Sequence, residues 1–312
     1  MRKPDVDLAA LRALVARVYG RRQVDICRAD SGTTTQIYRL QTTAAVHYLR
    51  VAEDQPDRFG AELLVHERLL GLGVRVPAIV HYEPFDAVLN RSILITTEIP
   101  GRPVSSLSDS AILPAVLRAA GRDLALLNSI PVDGFGFVTR SEPHPTYLSA
   151  EFATVLEFIE RDLESDLATL EVDQLPSVRA GVRQMVESRK SQLVGLTGGL
   201  AHGDFDGSHI YVATAHYSGI IDLGEIRGAD PLYDLGHFAV IAGESLPAEA
   251  LDHLLAGYGE VTPLTEDDRR RMWLWAALIG VRFLARTRGR IAASLSEHIT
   301  GRLDRAFHEQ AR

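Results

Sequence analysis

The hydrophobic pattern changes period across Glu98-Ile99-Pro100-Gly101-Arg102-Pro103, and that change constrains the fold more than any other feature. Before it, Val24–Asp30, Gln36–Gln41, Val46–Ala52, Ala78–Tyr82 and Ser92–Thr97 are short, alternating and turn-bounded, as half-buried strands are. Two amphipathic helices punctuate them. Leu8–Tyr19 places Leu8, Leu11, Leu14, Val15 and Val18 at helical spacing, with Gly20 as a stop, and Arg58–Gly71 turns Phe59, Leu63, His66, Leu69 and Leu70 inward. Beyond residue 103 the pattern is helical over Asp109–Asn128, 150–169, 177–193, 231–243, 248–258, 266–286 and 298–311, interrupted by a Gly- and Pro-rich loop at 131–147. Two prolines and a glycine between regular elements mark 98–103 as a hinge. The expectation is an α+β chain: a small antiparallel-sheet N-lobe at 1–97, the hinge at 98–103, and a larger, mainly helical C-lobe at 104–312, the two sharing one active site.

At 312 residues with 46% hydrophobic side chains, the chain can fill a core in each lobe. A net charge of −8 offers no basic stripe for displacing counterions, so no nucleic-acid partner is expected. The acidic balance suits a cationic small molecule instead. One cysteine, Cys27, allows no internal disulfide and fits a reducing cytoplasm; it reads as a small buried hydrophobe at a strand edge. No run of eighteen apolar residues suggests a membrane span, and the charged N-terminal segment does not read as a secretory leader.

Chemistry concentrates in Gly199–Phe238. His209–Ala213 and Tyr217–Asp222 suit the strands of a β-hairpin, turning around Thr214–His216. A hairpin brings its two ends together, so Asp204 before it and Asp222 at its end would face one cavity. Phosphoryl transfer from a nucleotide needs such a pair. Asp204 would orient an acceptor hydroxyl and accept its proton. Asp222, with a glycine two residues on, is placed to hold a magnesium ion. His209 stands where a second magnesium ligand is expected; it binds the ion directly, acts through water, or orders the loop. His202 reads as a structural organiser of the loop. Asp230 and Asp234 lie at a helix start and read as buttresses. Glu225 is a candidate contact for an amino group on the acceptor, with Asp206 beside it as a second candidate. Trp273 and Trp275 read as core residues.

Toward the N-terminus, Ser31, Gly32 and Thr33 form a small-residue turn that suits nucleotide phosphates. Arg50 is a lone cation in an apolar strand, and Glu62 on the following helix is its expected partner, because an unpaired buried cation is costly. The pair would aim Arg50 at the α- and β-phosphates. Glu98 and Ile99 would offer hinge backbone groups to the edge of a purine base.

Together, the HGDFDGSH and IIDLGE segments, the Ser31–Thr35 turn and the Asp230–Leu235 segment resemble the aminoglycoside phosphotransferase family, a branch of the protein-kinase-like fold. The resemblance implies a bilobal kinase that uses ATP or GTP with Mg2+. By motif position it implies Asp204 as catalytic base, Asp222 and His209 as Mg2+ ligands, and Arg50 with Glu62 as the phosphate-positioning pair. The chain departs from the family pattern at His209, where asparagine is usual, and at Arg50, where lysine is common. The expected activity is transfer of the γ-phosphate to a hydroxyl of an aminoglycoside or related antibiotic. Kinases of macrolides or small metabolites, a non-catalytic nucleotide-binding relative, and a metallohydrolase built on His202, Asp204, Asp206 and His209 are the alternatives.

Overall fold

The computed structural model describes residues 6–29, 35–52, 58–107, 111–171, 176–241, 246–287 and 293–311. They pack as two units: Met1–Pro100 with Thr139–Leu148, and Gly101–Val138 with Ser149–Arg312.

In the first unit, α1 (Leu8–Tyr19) is followed by β1 (Asp25–Arg28), β2 (Thr35–Gln41), β3 (Val46–Ala52), α2 (Gly60–Gly71), β4 (Ile79–Asp86) and β5 (Arg91–Thr97). The strands form one antiparallel sheet in the order β1-β2-β3-β5-β4. Asp7 caps α1, its carboxylate accepting the N–H groups of Ala9 and Ala10. That helix buries Leu11, Leu14 and Val15 with Tyr38, Leu40, Leu49, Val51, Ile93 and Ile95 of the sheet. The inward face of α2 differs from the sequence expectation. Glu62 and Val65 are buried, whereas Leu70 is exposed, because the helix turns its acidic residue inward to meet a cation. Cys27 is exposed rather than buried, since β1 is an edge strand and leaves its side chain without cover.

The segment Thr139–Leu148 lies in the first unit, although the sequence reading assigned all of 104–312 to the second lobe. Tyr82 donates its hydroxyl to the Pro143 carbonyl at 2.6 Å and Arg68 donates to the Thr146 carbonyl at 2.9 Å. These long-range bonds between side chain and backbone leave no periodic trace in the segment itself.

The second unit contains β6 (Arg102–Pro103), α3 (Leu113–Asn128), β7 (Phe135–Val138), β8 (Ala150–Phe152), α4 (Val155–Glu171), α5 (Pro176–Leu193), β9 (Gly199–Ala201), β10 (Ile210–Ala213), β11 (His216–Ile220), β12 (Arg227–Ala229), α6 (Tyr233–Ile241), α7 (Ala250–Gly259), α8 (Glu266–Thr287) and α9 (Ala293–Ala311). The hairpin is present, with β10 antiparallel to β11 and its tip at Thr214 and Ala215, both at positive φ. The end of the expected hinge is itself a strand: β6 pairs with β10. A second small sheet runs β8-β7-β12-β9. Its strand β7 falls inside the stretch read as loop, where Gly134 and Gly136 at positive φ interrupt the alternation. Helices α6 and α8 carry the core of this unit; Phe238, Leu274 and Trp275 are fully or almost fully buried.

Candidate active site

Strand β9 runs into the loop His202–His209, and β12 lies antiparallel beside it with Arg227 opposite Ala201; after β12 the chain turns at Asp230–Leu232 into α6. Asp234, in the first turn of α6, is fully buried. Its carboxylate accepts the backbone N–H groups of His202 and Gly203 at 2.8 and 2.9 Å, and the amide of Asn128 at 2.9 Å. Asn128 also donates to the Leu200 carbonyl. Asp234 thus buttresses the loop, by gripping another segment and not by capping its own helix. Gly203 has φ +88°, and a Cβ there would lie 2.0 Å from the Glu225 carbonyl oxygen, so only glycine fits.

His202 is fully buried. Its Nε2–H donates to the Ile221 carbonyl at 2.8 Å, and its Nδ1 accepts the Asp204 N–H at 3.3 Å. One neutral tautomer satisfies both bonds, and burial pushes its pKa down, so the ring stays uncharged. It joins the loop to the end of the hairpin, as an organiser does.

Asp204 follows with its carboxylate half exposed. His209 donates Nδ1–H to the Asp204 carbonyl at 2.6 Å, which leaves Nε2 with a bare lone pair. That nitrogen stands 3.9 Å from Oδ2 of Asp222. Asp222 sits in the left-handed region at φ +63°, its Oδ1 accepting the Gly224 N–H. A non-glycine backbone held in this sparsely populated conformation is the kind of strain found at ligand-holding positions. Asp206 forms a tight turn, accepting both N–H and hydroxyl of Ser208 at 2.6 Å. Asp204, Asp206 and His209 bring one ligand atom each within 4.8 Å of one another. The structure therefore gathers Asp204, Asp206, His209 and Asp222 around one short loop. Glu225 is close to this loop, and Arg227 pairs with its carboxylate at 3.3 Å while stacking on Phe137. Asp230 is buried among donors from Leu232, Arg271 and Trp275, which fixes Trp275 in the core.

A separate set lies in the first unit. Glu62 is fully buried, and its carboxylate is bonded to Arg50, whose guanidinium covers the Phe59 ring at 5.0 Å. The N–H of Glu98 donates to the Val46 carbonyl at 3.2 Å and its side chain accepts from Tyr48 at 3.3 Å. Ser31, Gly32 and Thr33 lie outside the described residues.

Two functional candidates escaped the sequence reading. His237, one helical turn after Asp234, places Nε2 3.4 Å from Oδ1 of Asp204. Its signal was the i, i+3 spacing, which puts both residues on one helix face. Arg140 stands 3.4 Å from the second oxygen of Glu62, and no spacing in its Gly- and Pro-rich surroundings announces it.

A family model described as the phosphotransferase enzyme family matches residues 25–275. No curated protein matches the chain. Among solved structures, the fold is similar to aminoglycoside phosphotransferase APH(4)-Ia, at 15% identity and a TM-score of 0.69, over 98% of this chain and 100% of that one. A thermostable mutant of APH(4)-Ia in ternary complex with ADP and hygromycin B gives 16% identity and a TM-score of 0.68, over 97% and 99% of the two chains. The macrolide 2'-phosphotransferase of Brachybacterium faecium gives 17% and 0.57, over 95% and 98%. These likenesses establish the fold as protein-kinase-like.

Proposed function

The chain belongs to the phosphotransferase enzyme family, and from that premise we propose that it moves the γ-phosphate of ATP or GTP to a hydroxyl of an amino-bearing small molecule of the aminoglycoside type. The observation that carries this reading is the arrangement of Asp204, His209 and Asp222 on one loop and hairpin. Support for the acceptor class comes from the acidic side chains Asp206 and Glu225 near Asp204, and from the hygromycin B bound by a structural neighbour.

In the proposed reaction Asp204 accepts the proton of the acceptor hydroxyl. The hydroxyl oxygen then bonds to the γ-phosphorus as the bond to the β–γ bridging oxygen breaks, and the nucleoside diphosphate leaves. Arg50, its orientation fixed by buried Glu62, neutralises the α- and β-phosphates; a guanidinium does so as a fork where lysine would be a point charge. The Glu98 carbonyl and the Ile99 backbone hold the base. Ser31, Gly32 and Thr33 supply donors to the phosphates.

The residues present fit a divalent cation. His209 spends its Nδ1–H on a carbonyl and turns a bare lone pair toward a carboxylate, the disposition of a metal-ligating imidazole. His209 and Asp222 would hold Mg2+, which when bound neutralises charge developing on the phosphates.

The test is a coupled nucleotide-consumption screen with ATP and GTP against aminoglycosides, macrolides, peptide antibiotics and small amino alcohols. Acceptor-dependent consumption, with phosphate recovered on an aminoglycoside, supports the reading. Consumption with none of these acceptors contradicts it.

A further inference from the structure

The backbone around Asp222 is tied down on both sides. Ile221, the residue before it, accepts the His202 ring N–H on its carbonyl at 2.8 Å. After it comes a single turn of 3-10 helix, Leu223–Glu225, capped by the Asp222 carboxylate at the Gly224 N–H. Arg227 holds the last residue of that turn. Nε–H donates to the Glu225 carbonyl at 3.2 Å, and Nη2 donates to the Glu225 carboxylate at 3.3 Å.

Arg227 is itself fixed. It lies on β12 opposite Ala201 of β9 and Phe137 of β7, and only 7% of it is exposed. Its guanidinium carbon stands 4.6 Å from the centre of the Phe137 ring and 5.2 Å from that of Tyr233, and Nη1 donates to the Tyr233 hydroxyl at 2.9 Å. The same group abuts the catalytic loop. A Cβ on Gly203 would come within 2.6 Å of Nε and within 2.0 Å of the Glu225 carbonyl oxygen that Nε bonds. The guanidinium therefore stands where the residue beside Asp204 meets the end of the turn that starts at Asp222.

Its charge is ill suited to that place. A positive charge near a site for a divalent cation repels the cation, and burial limits the screening. A planar fork, in contrast, binds several acceptors in fixed directions, which lysine cannot do. Charge and geometry thus make opposite predictions for the loss of this side chain.

We infer that Arg227 is a positioning residue of the metal-holding turn: by bonding the carbonyl and carboxylate of Glu225 against Gly203, it fixes Asp222 relative to the loop that carries Asp204 and His209. This rests on the reading of Asp222 and His209 as metal ligands.

Mn2+ titration followed by electron paramagnetic resonance tests it on the full chain, without nucleotide or acceptor and well below each variant's melting temperature. Arg227→Met removes the charge and the donors but keeps an unbranched side chain against the rings. Loss of a repelling charge alone tightens Mn2+ binding, whereas loss of a positioning group weakens it. The expected result is a weakening of roughly tenfold, the lower end of what partners of metal ligands contribute. Tighter or unchanged binding overturns the inference. Should Arg227→Met fail to fold, Arg227→Lys carries the test. It keeps the charge, so a weakening reports geometry, and unchanged binding overturns the inference.

Hydrogen exchange of the metal-free chain is the second measurement. The amides of Gly203, Asp204 and Gly224 should exchange faster together in Arg227→Lys, while those of α7 keep the wild-type rate. Unchanged exchange at the three amides overturns the inference, as does an equal rise throughout α7. If the wild-type chain binds no Mn2+, the metal reading fails, while these amides still decide whether Arg227 holds the two segments together.

Discussion

Nε2 of His209 stands 3.9 Å from Oδ2 of Asp222, with the other ring nitrogen already donating to a carbonyl. A divalent cation bound between the two groups would take a lone pair from each. Imidazole is softer than the amide usual at this position in the family, which favours manganese over magnesium relative to an asparagine-bearing site.

Titration of the chain with Mn2+, followed by electron paramagnetic resonance, should give saturable binding in the absence of nucleotide. Asp222→Asn and His209→Ala should each weaken it, by roughly tenfold or more. His209→Asn should restore binding and shift the preference toward Mg2+.

Asp234 accepts three hydrogen bonds at full burial. Asp234→Ala leaves the N–H groups of His202 and Gly203 without that acceptor, together with one amide hydrogen of Asn128. Each orphaned buried donor costs about 1–3 kcal/mol, so the variant should lose roughly 3 kcal/mol or more in urea unfolding. Asp234→Asn, which keeps an acceptor oxygen, should lose less.

Glu62 lies at full burial between Arg50 and Arg140. Arg50→Met removes the closer partner and leaves the buried carboxylate with Arg140 alone at 3.4 Å, so the loss should be at most the roughly 3–5 kcal/mol of a broken buried pair. Arg50→Lys keeps the charge and should lose less stability. Arg140→Ala should loosen Glu62 and weaken nucleotide binding by calorimetry while leaving Mn2+ binding unaltered.

His66 is buried on α2, donating Nδ1–H to the Pro77 carbonyl, and burial lowers its pKa from 6.5 to about 4. The nearby Arg50 charge adds to that lowering, while the carbonyl bond opposes it. Between about pH 6.5 and pH 4 the unfolded chain binds a proton there that the folded chain does not. The contribution is therefore fully present above pH 6.5 and is lost as pH falls toward 4. The loss amounts to about 3 kcal/mol. Urea unfolding at a series of pH values should show that slope, and His66→Asn, which keeps the donor, should flatten it.

The features legible in the sequence were those with local signatures. Val46–Ala52 and the hairpin were visible from alternation, and Glu62 could be paired with Arg50 because a lone cation in an apolar strand demands a partner. Strand β7 was not legible, because its glycines break the alternation and its pairing with β12 spans about ninety residues of chain. Arg140 was missed for a similar reason: its segment is anchored by bonds from Tyr82 and Arg68, which its own residues do not encode. At α6 the helix-start position of Asp230 and Asp234 sufficed to read them as buttresses, but which backbone groups Asp234 grips, and that His237 stands one turn further on beside Asp204, came only with the structure.

The most direct measurement is transfer of labelled γ-phosphate from ATP or GTP to acceptors of the screen by the wild-type chain and by Asp204→Asn, with nucleotide affinity measured in parallel. Label should appear on an acceptor hydroxyl in the wild type and fall by at least about a hundredfold in the variant, with nucleotide affinity within about twofold. Undiminished transfer by Asp204→Asn would contradict the assignment of the base, and with it the reading of the loop on which the proposed reaction depends.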